Sequence, residues 1–212
     1  MTVLGKTKFC GTKGTNPRQK SFIAIQLNMD IFQAIVARKS SRSYLKKIVE
    51  EEKINAIVKA GNMASVSAKL FITVITNQEV LKEIALETKK MFLESGSEAL
   101  VARAKNPTFN ALYGAPVLIL LTVEKTSQLS VDRNNVASAG CAAENMMLTA
   151  TALGLGSCYM YAPVPAFSNP EIRKKVGIAS DQDALCTVIV GYSADLSPHP
   201  PRKPAVNVRY CK

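Results

Sequence analysis

Apolar residues recur along this chain in two rhythms, one helical and one strand-like, and the two interleave from end to end. Asp30 is placed to cap a short helix running to about Arg38, with Ile31, Ile35 and Val36 on its apolar side. A second helix is predicted over residues 48–63, where Ile54, Ile57 and Val58 keep the helical period and Gly61 falls near the end. Residues 71–76, FITVIT, form a β-branched strand. Residues 78–105 read as helical with a break at Ser95-Gly96-Ser97. After Pro116, the run VLILLTV to Val123 is apolar on both faces, the mark of a central strand. A long helix over 134–153 leads to an irregular or extended piece at 155–162 and a short helix at 169–176. ALCTVIVGY, residues 184–192, is a second buried strand. A proline-rich loop at 197–204 and a strand-like tail at 206–211 close the chain. Interleaved helices and strands predict one layered α/β or α+β domain around a buried sheet.

One helix departs from the usual amphipathic pattern. ASAGCAAENMMLTATA, residues 137–152, carries small residues on most sides, which lets neighbouring backbones approach closely. It is expected to be packed all round, in the core or at a subunit interface, with Met146 and Met147 filling gaps. Glu144 and Asn145 then require partners, because unpaired buried polar groups are costly.

Composition narrows the functional classes. The chain has 212 residues, 47% hydrophobic and 20% charged, an ordinary globular balance. No apolar run reaches the roughly 18 residues of a membrane-spanning helix, so no membrane role is expected. Cys10, Cys141, Cys158, Cys186 and Cys211 form no metal-ligand spacing, and the single histidine, His199, sits in the proline-rich loop. Reduced thiols and a cytoplasmic setting follow, and a zinc site or Cys–His nucleophile does not. The net charge is +11, yet the basic residues are dispersed and no nucleic-acid motif accompanies them, so nucleic acid is not the expected partner. Residues 1–28 hold five basic residues and no acidic one; they are expected to form a poorly ordered extension, with 29–212 as the domain. An organelle-targeting leader is the other reading of that extension.

The most informative stretch is DIFQAIVARKSSRSY, residues 30–44. A helical pattern runs into Arg38, Ser40 and Arg42, spaced two apart, so an extended backbone turns all three to one side. Guanidinium forks bind phosphate bidentately, which a lysine point charge cannot do. A basic corner of this kind is also common as a solvated turn.

Several motifs in one order resemble the FMN-dependent nitroreductase family. MDIFQAIVARKSSRSY is similar to its N-terminal arginine–serine–basic motif, and GAPVLILLT to its central strand. DRNNVASAGCAAENMMLTATALGLGSCYM resembles its long helix and glycine-bearing turn, and VIVGY followed by PPRKP its closing strand and basic loop. The resemblance spans residues 29–212. It implies an α+β fold, a mixed central sheet flanked by helices on both faces, in a homodimer with FMN in clefts shared by both subunits. It also implies that Arg38, Lys39, Ser40 and Arg42 hold the phosphate and ribityl chain, with Arg202 and Lys203 completing the phosphate cage. Gly156, Ser157, Cys158, Tyr159 and Met160 would pass beside the flavin ring and offer main-chain donors near N5 and O4. Gly154 reads as a helix cap. The chain departs from the family at AGNMASVSAKLF, which is shorter than the usual segment. Ser67 and Lys69 are the polar residues nearest the missing asparagine, Lys69 as a cation near N1–O2.

The implied activity is an oxidoreductase in which NAD(P)H passes hydride to flavin N5 and a nitroaromatic, quinone or similar acceptor then takes the electrons. Protons come from solvent, in keeping with a chain that offers no catalytic histidine or carboxylate pair. Two other readings remain: a flavoprotein of the same fold with other chemistry, such as dehalogenation or dehydrogenation, and a degenerate, non-catalytic basic binding protein. Met91, Phe92, Phe109 and Tyr113, in or beside the segment where family members differ, serve either the core or a lid.

Overall fold

The computed structural model describes residues 29–197 and 208–211. Its elements are α1 (Ile31–Ala37), α2 (Glu51–Asn62), β1 (Phe71–Ile75), α3 (Gln78–Leu93), α4 (Glu98–Lys105), β2 (Val117–Glu124), α5 (Leu129–Ala152), β3 (Gly156–Met160), α6 (Pro170–Val176) and β4 (Gln182–Gly191), with a 3₁₀ turn at Val164–Ser168 before α6. The strands form one sheet in the order β1-β2-β4-β3, so β1 and β3 are its edges. The named strands pair antiparallel. A parallel contact occurs in the isolated bridge between Ser40 and Ser157, beside the edge strand β3.

The sheet is buried on both sides, as the unbroken apolar run in β2 required. Val117, Ile119 and Leu121 face one cluster with Ile54 and Ile57 of α2 and Ala142, Met146 and Ala150 of α5. Leu118 and Leu120 face the other, with Leu81 and Ile84 of α3, Phe167, and Ile172 of α6. Strand alternation thus sends successive residues of one strand into two separate cores. The α+β architecture with helices on both faces is as expected.

Local chemistry sets the element ends. Asp30 caps α1 through a reciprocal pair: its carboxylate accepts from Gln33 N at 2.9 Å, and the Gln33 amide oxygen accepts from Asp30 N at 2.9 Å. Asn77 caps α3 and Asn169 caps α6. The break expected at Ser95-Gly96-Ser97 separates α3 from α4.

Some boundaries differ from the sequence expectations. α2 starts at Glu51 rather than 48, because Glu50 is extended and Val49 is drawn into the core while Ile48 stays in water. α5 begins at Leu129, one turn and more ahead of 134. The expectation that 137–152 is packed all round does not hold within one chain. Ala139, Ala142, Ala143, Met146 and Ala150 are buried, but Val136, Ala137 and Cys141 are exposed. The reason is one-sided cover: α2 and the sheet pack against a single face of α5. Residues 208–211 adopt no regular structure, so the predicted tail strand is absent there, and 206–207 lie outside the described residues. The extension at 1–28 lies outside them too.

Candidate functional site

After α1, the segment from Arg38 to Tyr44 runs extended across one end of the sheet. Backbone bonds cinch it on both sides: Ser41 N donates to Ser157 O at 2.9 Å, Leu45 N to Tyr192 O at 2.9 Å, and Ala194 N to Ser43 O at 2.9 Å. Tyr44 is buried and its hydroxyl donates to Ser41 O at 2.9 Å, locking the turn from inside. Burial raises the Tyr44 pKa well above the ordinary phenol value, so the ring stays neutral.

Two glycines make this approach possible. A Cβ on Gly156 would stand 2.4 Å from Ser41 Oγ, and one on Gly191 would stand 2.6 Å from Pro116 Cδ and 2.9 Å from Tyr44 Cδ1. Gly154, with φ of 73°, is the left-handed cap of α5 that the sequence implied.

Arg38, Ser40 and Arg42 do not share one set of contacts within this chain. Arg38 Nε meets Glu144 Oε1 of α5 at 3.0 Å, the partner that Glu144 required. Asn145 donates to Ala60 O at 3.3 Å. Ser40 is exposed and bridges Ser157. Arg42 is exposed and opens onto a cleft of about 360 Å³ with Arg103, Asn110 and Tyr113. Lys39 Nζ pairs with Asp195 Oδ2 at 3.1 Å and also donates to Ser197 O, at the edge of a cleft of about 560 Å³ floored by Leu155, Tyr192 and Leu196. Hydrogen bonds from Ser197, with the Lys39 cation adding, hold the Asp195 carboxyl down at about 2.

β3 presents backbone rather than side chains. Cys158 and Met160 point into the core; the Cys158 thiol donates to Tyr159 O at 3.4 Å, and Met160 O accepts from Thr187 at 2.8 Å. Because Ser157 O is taken by Ser41 from outside the sheet, Tyr159, two residues on, turns its own N–H and C=O to the same open edge. Ser157 Oγ is buried and has no hydrogen-bond partner among the described residues. An unpaired buried hydroxyl costs about 1–3 kcal/mol.

Ser67 and Lys69 lie elsewhere. Ser67 Oγ accepts from Asn134 near the start of α5 at 2.8 Å. Lys69 Nζ pairs with Glu124 Oε1 at 2.8 Å, and both side chains are exposed. Ser157 pairs with Val190, which pairs with Val117 at the start of β2, whereas Glu124 is its last residue. That separation is roughly 23 Å along the strand at about 3.3 Å per residue. A single chain therefore gathers Arg38, Lys39, Ser40, Arg42 and Gly156–Met160 at one end of the sheet and leaves Ser67 and Lys69 near the other. Arg202 and Lys203 lie outside the described residues.

Tyr113, weighed from the sequence as core or lid, belongs to this end, and so do Arg103, Tyr44 and Gly191, which were not singled out as site residues. Gly191 had a legible signal, since a glycine inside a strand pattern marks close approach. Arg103 had none.

The family model of the nitroreductase family matches residues 35–192. Solved structures share the fold. An FMN-bound nitroreductase from Bacteroides fragilis is 26% identical, with 87% of this chain and 99% of that one covered and a TM-score of 0.73. One from Desulfitobacterium hafniense, also with bound FMN, is 20% identical over 87% and 100%, with a TM-score of 0.77. An NADPH:FMN oxidoreductase from Vibrio harveyi, complexed with NAD+, is 20% identical over 86% and 77%, with a TM-score of 0.64. No curated protein matches the chain.

Proposed function

Because this chain belongs to the nitroreductase family, we propose that it is an FMN-dependent oxidoreductase, reduced by NAD(P)H and re-oxidised by a nitroaromatic, quinone or similar small acceptor. The observation that carries the reading is the cinching of the Arg38–Tyr44 segment against the open edge of β3 at Ser157. The residues there fit the cofactor: two guanidinium groups and a serine hydroxyl for a phosphate, an outward N–H at Tyr159 for the ring, and an unpartnered hydroxyl at Ser157.

When bound, FMN supplies two-electron exchange as hydride at N5, which no side chain of this protein provides. The protein holds and orients. Arg42 enters no ion pair among the described residues and is available to a phosphate oxygen. Arg38 keeps Glu144 as a second anchor, so its fork is already oriented. Ser40 adds a hydroxyl donor, and Arg202 and Lys203 follow Ser197 closely enough in sequence to join them. The two carboxylates at this segment, Glu144 and Asp195, are both ion-paired, so water delivers protons rather than either of them.

The homodimer accounts for the two distant groups. The uncovered face of α5 lies between Asn134, beside Ser67, and Glu144, beside Arg38, about 15 Å apart on a helix rising 1.5 Å per residue. A two-fold pairing of that face would bring Ser67 and Lys69 of one subunit toward the Arg38 end of its partner. Exposed Ile31, Phe32 and Val36 of α1 would be covered in the same step. Among the described residues no helix is long and apolar enough to cross a membrane.

The absorption spectrum of the purified protein tests the reading. A near-stoichiometric flavin band that bleaches on anaerobic addition of NADH or NADPH is expected. Colourless protein after incubation with excess FMN would overturn it.

A further inference from the structure

From Arg42 a groove extends beyond the residues assigned to the flavin. The cleft holding Arg42, Arg103 and Tyr113 adjoins a second cleft of about 360 Å³ between α3 and the loop before β2. The two share Phe109, Asn110 and Gly114 in their linings and adjoin there, which makes the pair a candidate channel. Lys82 and Lys89 line the second cleft from one face of α3, where Gln78, Lys82, Ala85 and Lys89 follow the helical spacing. No aspartate or glutamate lines either cleft. Four cations facing one channel without a carboxylate repel one another, and an anion relieves that repulsion.

Aromatic rings mark the junction. Phe109 stacks on Phe92 with centroids 5.8 Å apart. The Arg103 guanidinium lies 5.1 Å from the Phe109 ring and 5.6 Å from that of Tyr113, and it donates to the Tyr113 hydroxyl. Tyr113 has φ of 54°, a conformation that a bulky residue adopts at a cost of about 1–3 kcal/mol and that clusters at ligand sites. A π-face held next to fixed cations suits a ligand that is both aromatic and phosphorylated.

We propose that this channel binds the phosphate-bearing adenylate half of the dinucleotide reductant, with Arg103, Lys82 and Lys89 as its specificity residues. The proposal rests on the reading that NAD(P)H reduces a bound flavin. Arg42 marks the flavin end, and the three cations draw the anionic tail away from it along α3.

ADP-ribose, the dinucleotide without its nicotinamide, is titrated into the full chain by calorimetry, in parallel with Arg103→Gln and a Lys82→Gln/Lys89→Gln double variant. Arg103→Gln is expected to weaken binding about tenfold or more, and the lysine pair about threefold, with the salt dependence reduced. In steady state, KM for NADPH should rise by similar factors while KM for reduced nicotinamide mononucleotide, which lacks the adenylate, stays put. Flavin content and melting temperature should be unchanged, the lysine pair being the control should Arg103→Gln disturb Tyr113. No ADP-ribose binding at millimolar concentration, or equal affinity in both variants, would overturn the channel even in a yellow protein. Colourless protein whose ADP-ribose affinity still falls in the variants would instead remove the flavin and keep the channel.

Discussion

The two ends of the central sheet are built differently. At the Ser157 end, the Arg38–Tyr44 segment is held by backbone bonds, a buried tyrosine and two glycines that leave no room for a side chain. At the Glu124 end, Lys69 meets its partner by an exposed ion pair between two flexible side chains. The first arrangement is over-determined and can aim side chains at a ligand. The second can swing, and takes up a fixed role only if something covers it. At the Ser157 end an ion pair such as Arg38–Glu144 acts on backbone that is already fixed, whereas the Lys69–Glu124 pair has no such frame.

Disturbing the rigid end should have the largest effect. Gly191→Ala drives a methyl into Pro116 and Tyr44, and should cost about 3 kcal/mol of stability in chemical denaturation. Gly61→Ala, whose nearest neighbour is the flexible end of Met146, should cost clearly less; equal losses would contradict the contrast between fixed and yielding contacts.

Next comes an alkaline loss centred on β4, between the two ends. Burial pushes the Cys186 thiol from 9.0 up to about 11. The thiol ionises first in the unfolded chain, so its contribution is complete below pH 9 and lost as pH rises toward 11. That loss is of the order of 2–3 kcal/mol at about 1.36 kcal/mol per unit. Cys186→Ala should lessen the slope of the stability–pH curve over that window, with Tyr44 supplying the loss that remains above pH 10.

Arg42→Ala should weaken FMN affinity by about 2 kcal/mol while leaving the melting temperature nearly unchanged; an unaltered flavin dissociation constant would remove Arg42 from the site. Tyr44→Phe strips the hydroxyl from Ser41 O and should cost about 1 kcal/mol of stability. The smallest stability effect belongs to the flexible end. Lys69→Met should not move the melting temperature measurably, yet should weaken flavin binding if a partner subunit carries Lys69 to the shared cleft. A change in melting temperature without a change in flavin affinity would confine Lys69 to its own chain.

Much of the framework was legible because it depends on neighbours in sequence. Asp30 and Gln33 announce α1, the apolar run after Pro116 announces a strand with two buried faces, and Gly154 announces the end of α5. The extended course of the segment after α1 was legible too, since the helical pattern stops at Arg38. The convergence of Arg103 on Arg42 was not, because it depends on how α4 and the loop before β2 fold back. Nor did the small residues of 137–152 reveal that only one face would find cover, since small size permits close packing without specifying by what.

The order of helices and strands, the caps that end them and the charge of the corner at 38–42 are properties of the chain read locally, fixed by periodicity and by the chemistry of a few residues. Tertiary structure alone decided that this corner lies along an edge strand, that Glu144 orients Arg38, and that Lys69 sits at the far end of the sheet. Those relations join residues distant in sequence, and their geometry exists only once the sheet register and the helix packing have brought them together.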